Sequence, residues 1–308
     1  SFLRSYVSII LNFGWFVKFL FFFFPERSHR DRIRGDSMHF YILRGRTIFF
    51  GILLILTLIV VGCMKNSSQS VFRVGDREIP IYSVEREDNK IALTFNCAWN
   101  DSDIDSILKT LSDYHVKATF FAVGDWVEKY PDAVKKIDTA GHELGNHSYN
   151  HAHYSKMSRE EILEDMQKCD TVLENLTGKK PYLFRAAYGE YNNTVVSACD
   201  ESGRCYIQWS LDSLDYKAKS PEEILNRLDQ KVKPGEIILM HNGTECTKDV
   251  LPTLLKTLTK DFTLCTVSEL IYHENYLIDH AGVQKPNHQV TIPQSPTVPA
   301  PFAQESHS

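Results

Sequence analysis

The chain has 308 residues, with 34 basic and 39 acidic side chains and a formal net charge of −5. Acids and bases are interspersed and no long basic run is available to track a phosphate backbone, so no nucleic acid is expected as partner. The seven cysteines (Cys63, Cys97, Cys169, Cys199, Cys205, Cys246 and Cys265) form no CxxC pairs, which argues against a zinc ribbon or a dense disulfide framework.

The chain begins at Ser1, whereas Met38 opens a segment laid out like a signal peptide, so residues 1–37 read as an extension foreign to the natural protein. If they are native, residues 7–24 form a poorer span interrupted by Lys18, with the basic stretch 27–46 as a cytoplasmic loop. Residues 47–61 are apolar and uncharged and follow Arg44 and Arg46, so the segment 38–66 is an export signal or membrane anchor. The run is shorter than the roughly 20 residues of a usual spanning helix. It ends Val60-Val61-Gly62-Cys63, similar to the box at which bacterial lipoproteins are cleaved and lipidated. Lipidation at Cys63 and an uncleaved anchor both stay open, and either is expected to hold the rest at the membrane, facing outside.

Residues 67–89 are polar and aperiodic, as in a stalk. The folded domain is expected at 90–272. Residues 91–95 suit a buried strand, and 103–114 repeat Ile104, Ile107, Leu108 and Leu111 on one helical face. The alternation continues with strand 118–123, helix 127–140, strand 143–146, helix 158–176, strand 182–185 and helix 193–202. Strand 205–210, helix 221–231, strand 236–240 and helix 250–258 complete it. Strands separated by helices predict parallel pairing and an α/β class, and six or seven repeats favour a barrel, with a doubly wound sheet as the alternative. In such barrels the working residues sit at the carboxyl ends of the strands. Residues 273–308 read as an extension, and 286–308, rich in Pro, Gln, Ser and Thr, as a disordered tail.

His147 and His151 converge on one metal ion if their segment turns as a helix; the competing reading of such a pair is ordinary polar surface. His153 is a nearby spare. Further motifs fall in order at predicted strand ends: Thr94-Phe95-Asn96-Cys97, Phe184-Arg185-Ala186-Ala187-Tyr188-Gly189, Trp209-Ser210-Leu211-Asp212-Ser213-Leu214-Asp215 and Leu239-Met240-His241. Together with Gly141-His142-Glu143-Leu144-Gly145-Asn146-His147 they resemble the motifs of the polysaccharide deacetylases, carbohydrate esterase family 4 with its NodB homology domain. Asn96-Cys97-Ala98-Trp99 is similar to the branch found in spore-forming Gram-positive bacteria.

This resemblance implies a deformed, incomplete (β/α) barrel of about seven parallel strands and a divalent metal, most often zinc. It also implies hydrolysis of N-acetyl groups on amino sugars of peptidoglycan or chitin-like polymers. The chemistry needs a Lewis acid, a base for the attacking water and an acid for the leaving amine. Carried over by position, His147 and His151 would be metal ligands and His241 the general acid. Arg185 and Asp212 would hold and tune their neighbours, and Tyr188 would offer its backbone N–H to the oxyanion. The competing readings are a structural ion pair for Arg185 and Asp212 and a packed core histidine for His241.

The first motif departs from the family pattern. Where two aspartates are usual, a base and a metal ligand, this chain has Asn96 and Cys97. An amide accepts no proton at neutral pH. Cys97 is either a thiolate ligand or a buried apolar cysteine. Asp101 and Asp103 are expected as substitute base or ligand, or else as helix caps. Ala186 and Ala187 stand where proline is common. Two functions follow: a metal-dependent N-deacetylase, which is the leading expectation, and a catalytically silent glycan-binding relative.

Overall fold

The structure, a computed structural model, describes residues 77–287; the apolar run 47–61, Cys63 and the expected tail lie outside the described residues. Among the described residues no helix is long and apolar enough to cross a membrane.

Short strand β1 (Ser83–Val84) precedes the central strand β2 (Lys90–Cys97), which is buried from Ile91 onward. Its burial on both faces explains the continuous apolar run. Then come α1 (Ile104–Asp113), β3 (Thr119–Ala122), α2 (Gly124–Lys129), α3 (Pro131–Thr139) and β4 (Glu143–Asn146). The expected single helix 127–140 is two helices, because Pro131 has no N–H to donate and holds Tyr130 outside helical geometry, at φ −127° and ψ 55°. Next are α4 (Arg159–Thr177), β5 (Leu183–Phe184), α5 (Asn193–Glu201), β6 (Cys205–Tyr206), β7 (Leu211–Asp212) and α6 (Pro221–Leu228). The strand expected at 205–210 is reduced to β6, and β7 follows beyond it. β8 (Ile237–His241), α7 (Thr247–Asp261), β9 (Thr263–Cys265), α8 (Val267–Leu270), β10 (Tyr276–Ile278) and β11 (Val283–Pro286) complete the order.

The main sheet has eight strands in the order β6-β5-β4-β3-β2-β8-β7, with β9 also paired to β2. Every ladder in it is parallel. Among the described strands no ladder joins β6 to β7, so the barrel stays open there, as the resemblance implied. A second sheet, β1-β11-β10, lies outside both ends of the expected domain 90–272. Val84, Tyr276 and Ile278 pack with Ala92, Phe121 and Ile237 in one buried cluster. The stalk and extension readings therefore give way to folded structure at residues 83–84 and 276–286; strands of two to four residues are too short to show a period.

Alternation along β2 sorts the core. Ile91, Leu93, Phe95 and Cys97 pack with Ile104, Ile107 and Leu111 of α1, whereas Ala92 packs with Phe121 and Ile237. Thr94 and Asn96 share the face of Ala92, since successive side chains of a strand point to opposite sides. Helices thus cover one face of β2 and the barrel interior the other.

Candidate active site

The carboxyl ends of β2, β4, β5 and β8 bring Asn96, His147, Arg185 and His241 to one end of the barrel. A cavity of about 440 Å³ opens there, its lining including Asn96, His151, Asp212 and His241.

The histidine loop is no helix. Ser148 and His151 take left-handed φ values of 68° and 58°, and this turn brings the two imidazole rings to 5.2 Å between centroids, nearly perpendicular at 83°. The loop is fastened to α4 from beneath. Asn146 Nδ2 donates to the Met166 carbonyl at 2.8 Å and to Asp170 Oδ1 at 2.6 Å, while its Oδ1 accepts from the Ser148 N–H at 2.9 Å. The Tyr149 N–H donates to Asp165 Oδ1 at 2.7 Å. Asp170 in turn is paired with buried Arg204, whose Nε donates at 2.9 Å. His147 Nδ1 donates to the Arg185 carbonyl at 2.7 Å, which leaves Nε2 as a lone-pair donor. Burial, followed by the charge of His151, holds the His147 pKa well below the ordinary histidine value. Burial also lowers that of His151. Both rings are therefore neutral at pH 7. His153 stacks on Tyr188 at 4.3 Å and bonds Glu190.

Arg185 is fully buried over the Phe121 ring. Its Nη1 donates to Thr94 Oγ1 at 2.9 Å and to Asn96 Oδ1 at 3.0 Å; Nε and Nη2 donate to the carbonyls of Ile207 and Gln208. All its partners are neutral, and burial pulls its pKa down to about 9.

His241 is held by Asp215, not by Asp212. Asp215 Oδ1 accepts from His241 Nδ1 at 2.8 Å, and Oδ2 accepts from the His241 backbone N–H at 2.7 Å and from Thr247 Oγ1 at 2.6 Å. The Nδ1 contact leaves Nε2 for the cavity. Asp212 accepts from the Leu214 N–H at 2.8 Å through Oδ1 and makes no ion pair with Arg185. The sequence puts both aspartates in one motif and nothing in it separates their roles.

Cys97 is fully buried among core residues facing α1, and its pKa is pushed up by burial first and Asp103 second. It is a core thiol directed away from the face of Asn96. Asp103 is buried as well and its Oδ2 accepts from the Gly243 N–H at 2.8 Å, fixing the loop beyond His241. At the start of α1 its side chain makes no capping bond. Asp101 is exposed, and neither aspartate lines the cavity. Neither Asp101 nor Asp103 is thus placed as a substitute base, and the carboxylate on the cavity lining is Asp212.

The metal that the resemblance implies can be tested on the donor set. His147 and His151 supply two nitrogens. Among the described residues no group of three His, Cys, Asp or Glu is arranged to hold an ion. A catalytic zinc takes three protein ligands, so these residues do not fit a resident metal.

Aromatic rings were the part of the site that sequence reasoning undervalued. Trp99 stacks on His241 with centroids 5.4 Å apart, and Tyr216 meets the same imidazole edge-on at 5.2 Å. Trp99, Tyr188 and Tyr216 are 48%, 58% and 42% exposed, the exposed large hydrophobic residues of the described chain, and all three line this cavity. A wet cluster of aromatic rings round a cleft is a ligand surface and not a core.

The profile of the polysaccharide deacetylase family matches residues 83–207. A peptidoglycan-N-acetylglucosamine deacetylase of Bacillus cereus is 30% identical over 200 residues, which cover 63% of this chain and 93% of that protein. The chain belongs to the polysaccharide deacetylase family. Within the family, the uncharacterised protein YlxY of Bacillus subtilis is 34% identical over 62% of this chain. The chain spans 60% of YlxY's length. Among solved structures, a CE4 family pseudoenzyme from Bacillus anthracis superposes with a TM-score of 0.60 at 34% identity, covering 62% of this chain and 68% of that one. A mutant of that pseudoenzyme has restored enzymatic activity.

Proposed function

We propose that this family member binds amino-sugar glycan of the cell envelope, peptidoglycan being the first choice, and that hydrolysis is silenced at the first motif. The observation that carries the reading is Asn96 Oδ1 accepting from Arg185, which puts an amide where a proton acceptor is needed. The core-facing Cys97 and the two-histidine donor set support it, as does the aromatic rim, since rings stack on the apolar faces of sugars. The pseudoenzyme likeness points the same way. The segment 47–61 with Cys63 exports the domain and holds it at the membrane on this reading, outside the cytoplasm.

The deacetylase reading keeps one specific observation in its favour: His241 is oriented by Asp215 as a general acid would be, which binding alone does not require. Tyr188, at φ 59°, would then lend its N–H to the oxyanion. Acetate release from N-acetylglucosamine oligomers and from peptidoglycan, with zinc present, separates the two. Binding without release supports the proposal; release that disappears in His241→Ala overturns it.

A further inference from the structure

We propose that a basic recess beside the cavity is a second binding site, which takes the carboxylates of the peptide stems that hang from the sugar strand. This rests on the glycan-binding reading of the cavity and extends it to a part of the polymer that the cavity does not hold.

The recess follows from the shape of one segment. Residues 212–217 turn at Leu214, whose φ of 52° lies in the left-handed region that a leucine seldom takes. The turn is tied by the Leu214 N–H, which donates to Asp212 Oδ1 at 2.8 Å. Residues of this segment divide between two recesses. Asp212 and Tyr216 line the cavity of the candidate site, whereas Leu214 and Lys217 line a second one of about 350 Å³. Helix α6 supplies another wall of it through Glu223, Asn226 and Arg227, and Lys231 follows that helix. Two contacts join the recesses. Arg227 Nε donates to the Asp212 carbonyl at 2.7 Å, and Lys217 Nζ lies 5.2 Å from the centre of the Tyr216 ring.

The lining carries three cations, Lys217, Arg227 and Lys231, against one carboxylate, that of Glu223. Among the described residues no ion pair engages any of the three cations, and one oxygen of Glu223 is taken by the Lys219 backbone N–H at 3.1 Å. Asp212 lines the neighbouring cavity and not this recess. Other exposed lysines of the domain do find acids, Lys109 with Asp113, Lys136 with Asp105 and Lys179 with Asp138. A concave surface that gathers unpaired cations favours an anionic ligand. The Nε bond of Arg227 fixes its guanidinium and leaves the two terminal nitrogens as a fork, which matches the two oxygens of a carboxylate. What lies next door sets the occupant. A sugar strand seated on Trp99 and Tyr216 presents its substituents to the flank formed by residues 212–217. In peptidoglycan those substituents include peptide stems with free carboxylates, whereas a chitin-like strand carries neutral acetamido groups and offers the recess no anion.

The test is calorimetric titration of the whole chain, in detergent and EDTA at pH 7 and low salt. The ligands are a tetramer of N-acetylglucosamine, a peptidoglycan tetrasaccharide with its peptide stems, and the same tetrasaccharide with the stem carboxylates amidated. The natural chain is expected to bind the free-carboxylate form about tenfold more tightly than the amidated one, through charge-assisted hydrogen bonds. High salt should narrow that gap, because exposed charges are screened. Lys231 is exposed, so Lys231→Glu folds; it is expected to cut the gap to about twofold and to leave affinity for the N-acetylglucosamine tetramer unchanged. Equal affinity for the free and amidated stems overturns the inference while glycan binding stands, and so does a gap that Lys231→Glu leaves intact. A glycerol phosphate oligomer that binds more tightly than the stem-bearing tetrasaccharide, and loses affinity in Lys231→Glu, assigns the recess to a phosphate polymer and also overturns it. Binding of none of the sugar ligands overturns the glycan-binding reading and the inference together.

Discussion

Arg185 Nη1 lies 3.0 Å from Asn96 Oδ1, one of the four neutral oxygens that accept from the buried guanidinium in place of a counter-charge. A buried cation satisfied only by dipoles is a costly arrangement. Asn96→Asp is therefore expected to stabilise the domain by about 2 kcal/mol at pH 7, the usual worth of a hydrogen bond between charged groups in place of a half-charged one. The new carboxylate would have a depressed pKa in the folded state. Its contribution is present above the unfolded value near 4 and is lost as pH falls below it. Urea denaturation at pH 7 and pH 3.5 reads both; a destabilised variant at pH 7 would contradict the account of Arg185.

Cys97 gives a second prediction. A thiol packed among Phe95, Ile104 and Ile107 contributes by filling space. Cys97→Ala is expected to lower stability by about 1–2 kcal/mol and to leave the zinc content of the chain, measured by elemental analysis after dialysis against zinc, unchanged. Loss of zinc in the variant would restore the thiolate-ligand reading.

The pH dependence of stability carries a histidine signature away from the cavity. His142 Nδ1 accepts from the Ala118 N–H, and burial, with Lys117 second, pushes its pKa down to about 4. Its folded pKa is below the ordinary 6.5, so the unfolded chain binds more protons between these values. Stability is expected to be full above pH 6.5 and to fall by on the order of 3 kcal/mol toward pH 4 from this residue. His147 and His151 act with the same sign. Denaturation midpoints from pH 7.5 to 4.5 should slope less steeply in His142→Leu; identical slopes would remove His142 from the account.

Asp170 and Arg204 test how the histidine loop is held. Asp170→Ala leaves a guanidinium buried without its partner and is expected to cost about 3–5 kcal/mol. Pairing Asp170→Leu with Arg204→Met should recover most of that stability, because both charges are gone. The Ser148 N–H, which bonds the Asn146 side chain that Asp170 accepts from, should exchange with solvent faster in both variants. Unchanged exchange would mean the loop does not depend on this pair.

Trp99 supplies the simplest check on the groove. Its ring is nearly half exposed, so Trp99→Ala should leave stability within about 0.5 kcal/mol and weaken glycan binding about tenfold through the lost stacking face. Undiminished affinity would move the binding surface elsewhere.

Much of this was legible before any coordinates. The apolar run of β2, the helical period of α1 and the regular alternation after them specify parallel α/β pairing. The motifs put His147, Arg185 and His241 at strand ends that do converge. What stayed hidden depends on direction and register. Asp212 and Asp215 lie on one short segment, and only the approach of β7 to β8 decides which faces His241. The strict alternation of β2 was enough to send Cys97 to the opposite side from Asn96, and Pro131 was enough to break the helix at Tyr130. Both are local rules that the longer pattern obscured. No rule of period or propensity announces β1 or β10, which exist because they cover Ala92 and Ile237.

The second sheet has a bearing on the chain as a whole. β1 and β11 pair in parallel, Ser83 opposite Val283 and Val84 opposite Gln284, so the segment that enters the domain and the segment that leaves it run side by side. Because the pair is parallel, the chain enters it at one end, where Arg77 bonds Tyr191, and leaves at the other, where the Asn287 N–H donates to the Asn275 carbonyl. A permuted chain opened at the exposed turn around Gly203 would keep every ladder of the barrel, but its linker would have to run the length of this edge to join the two ends.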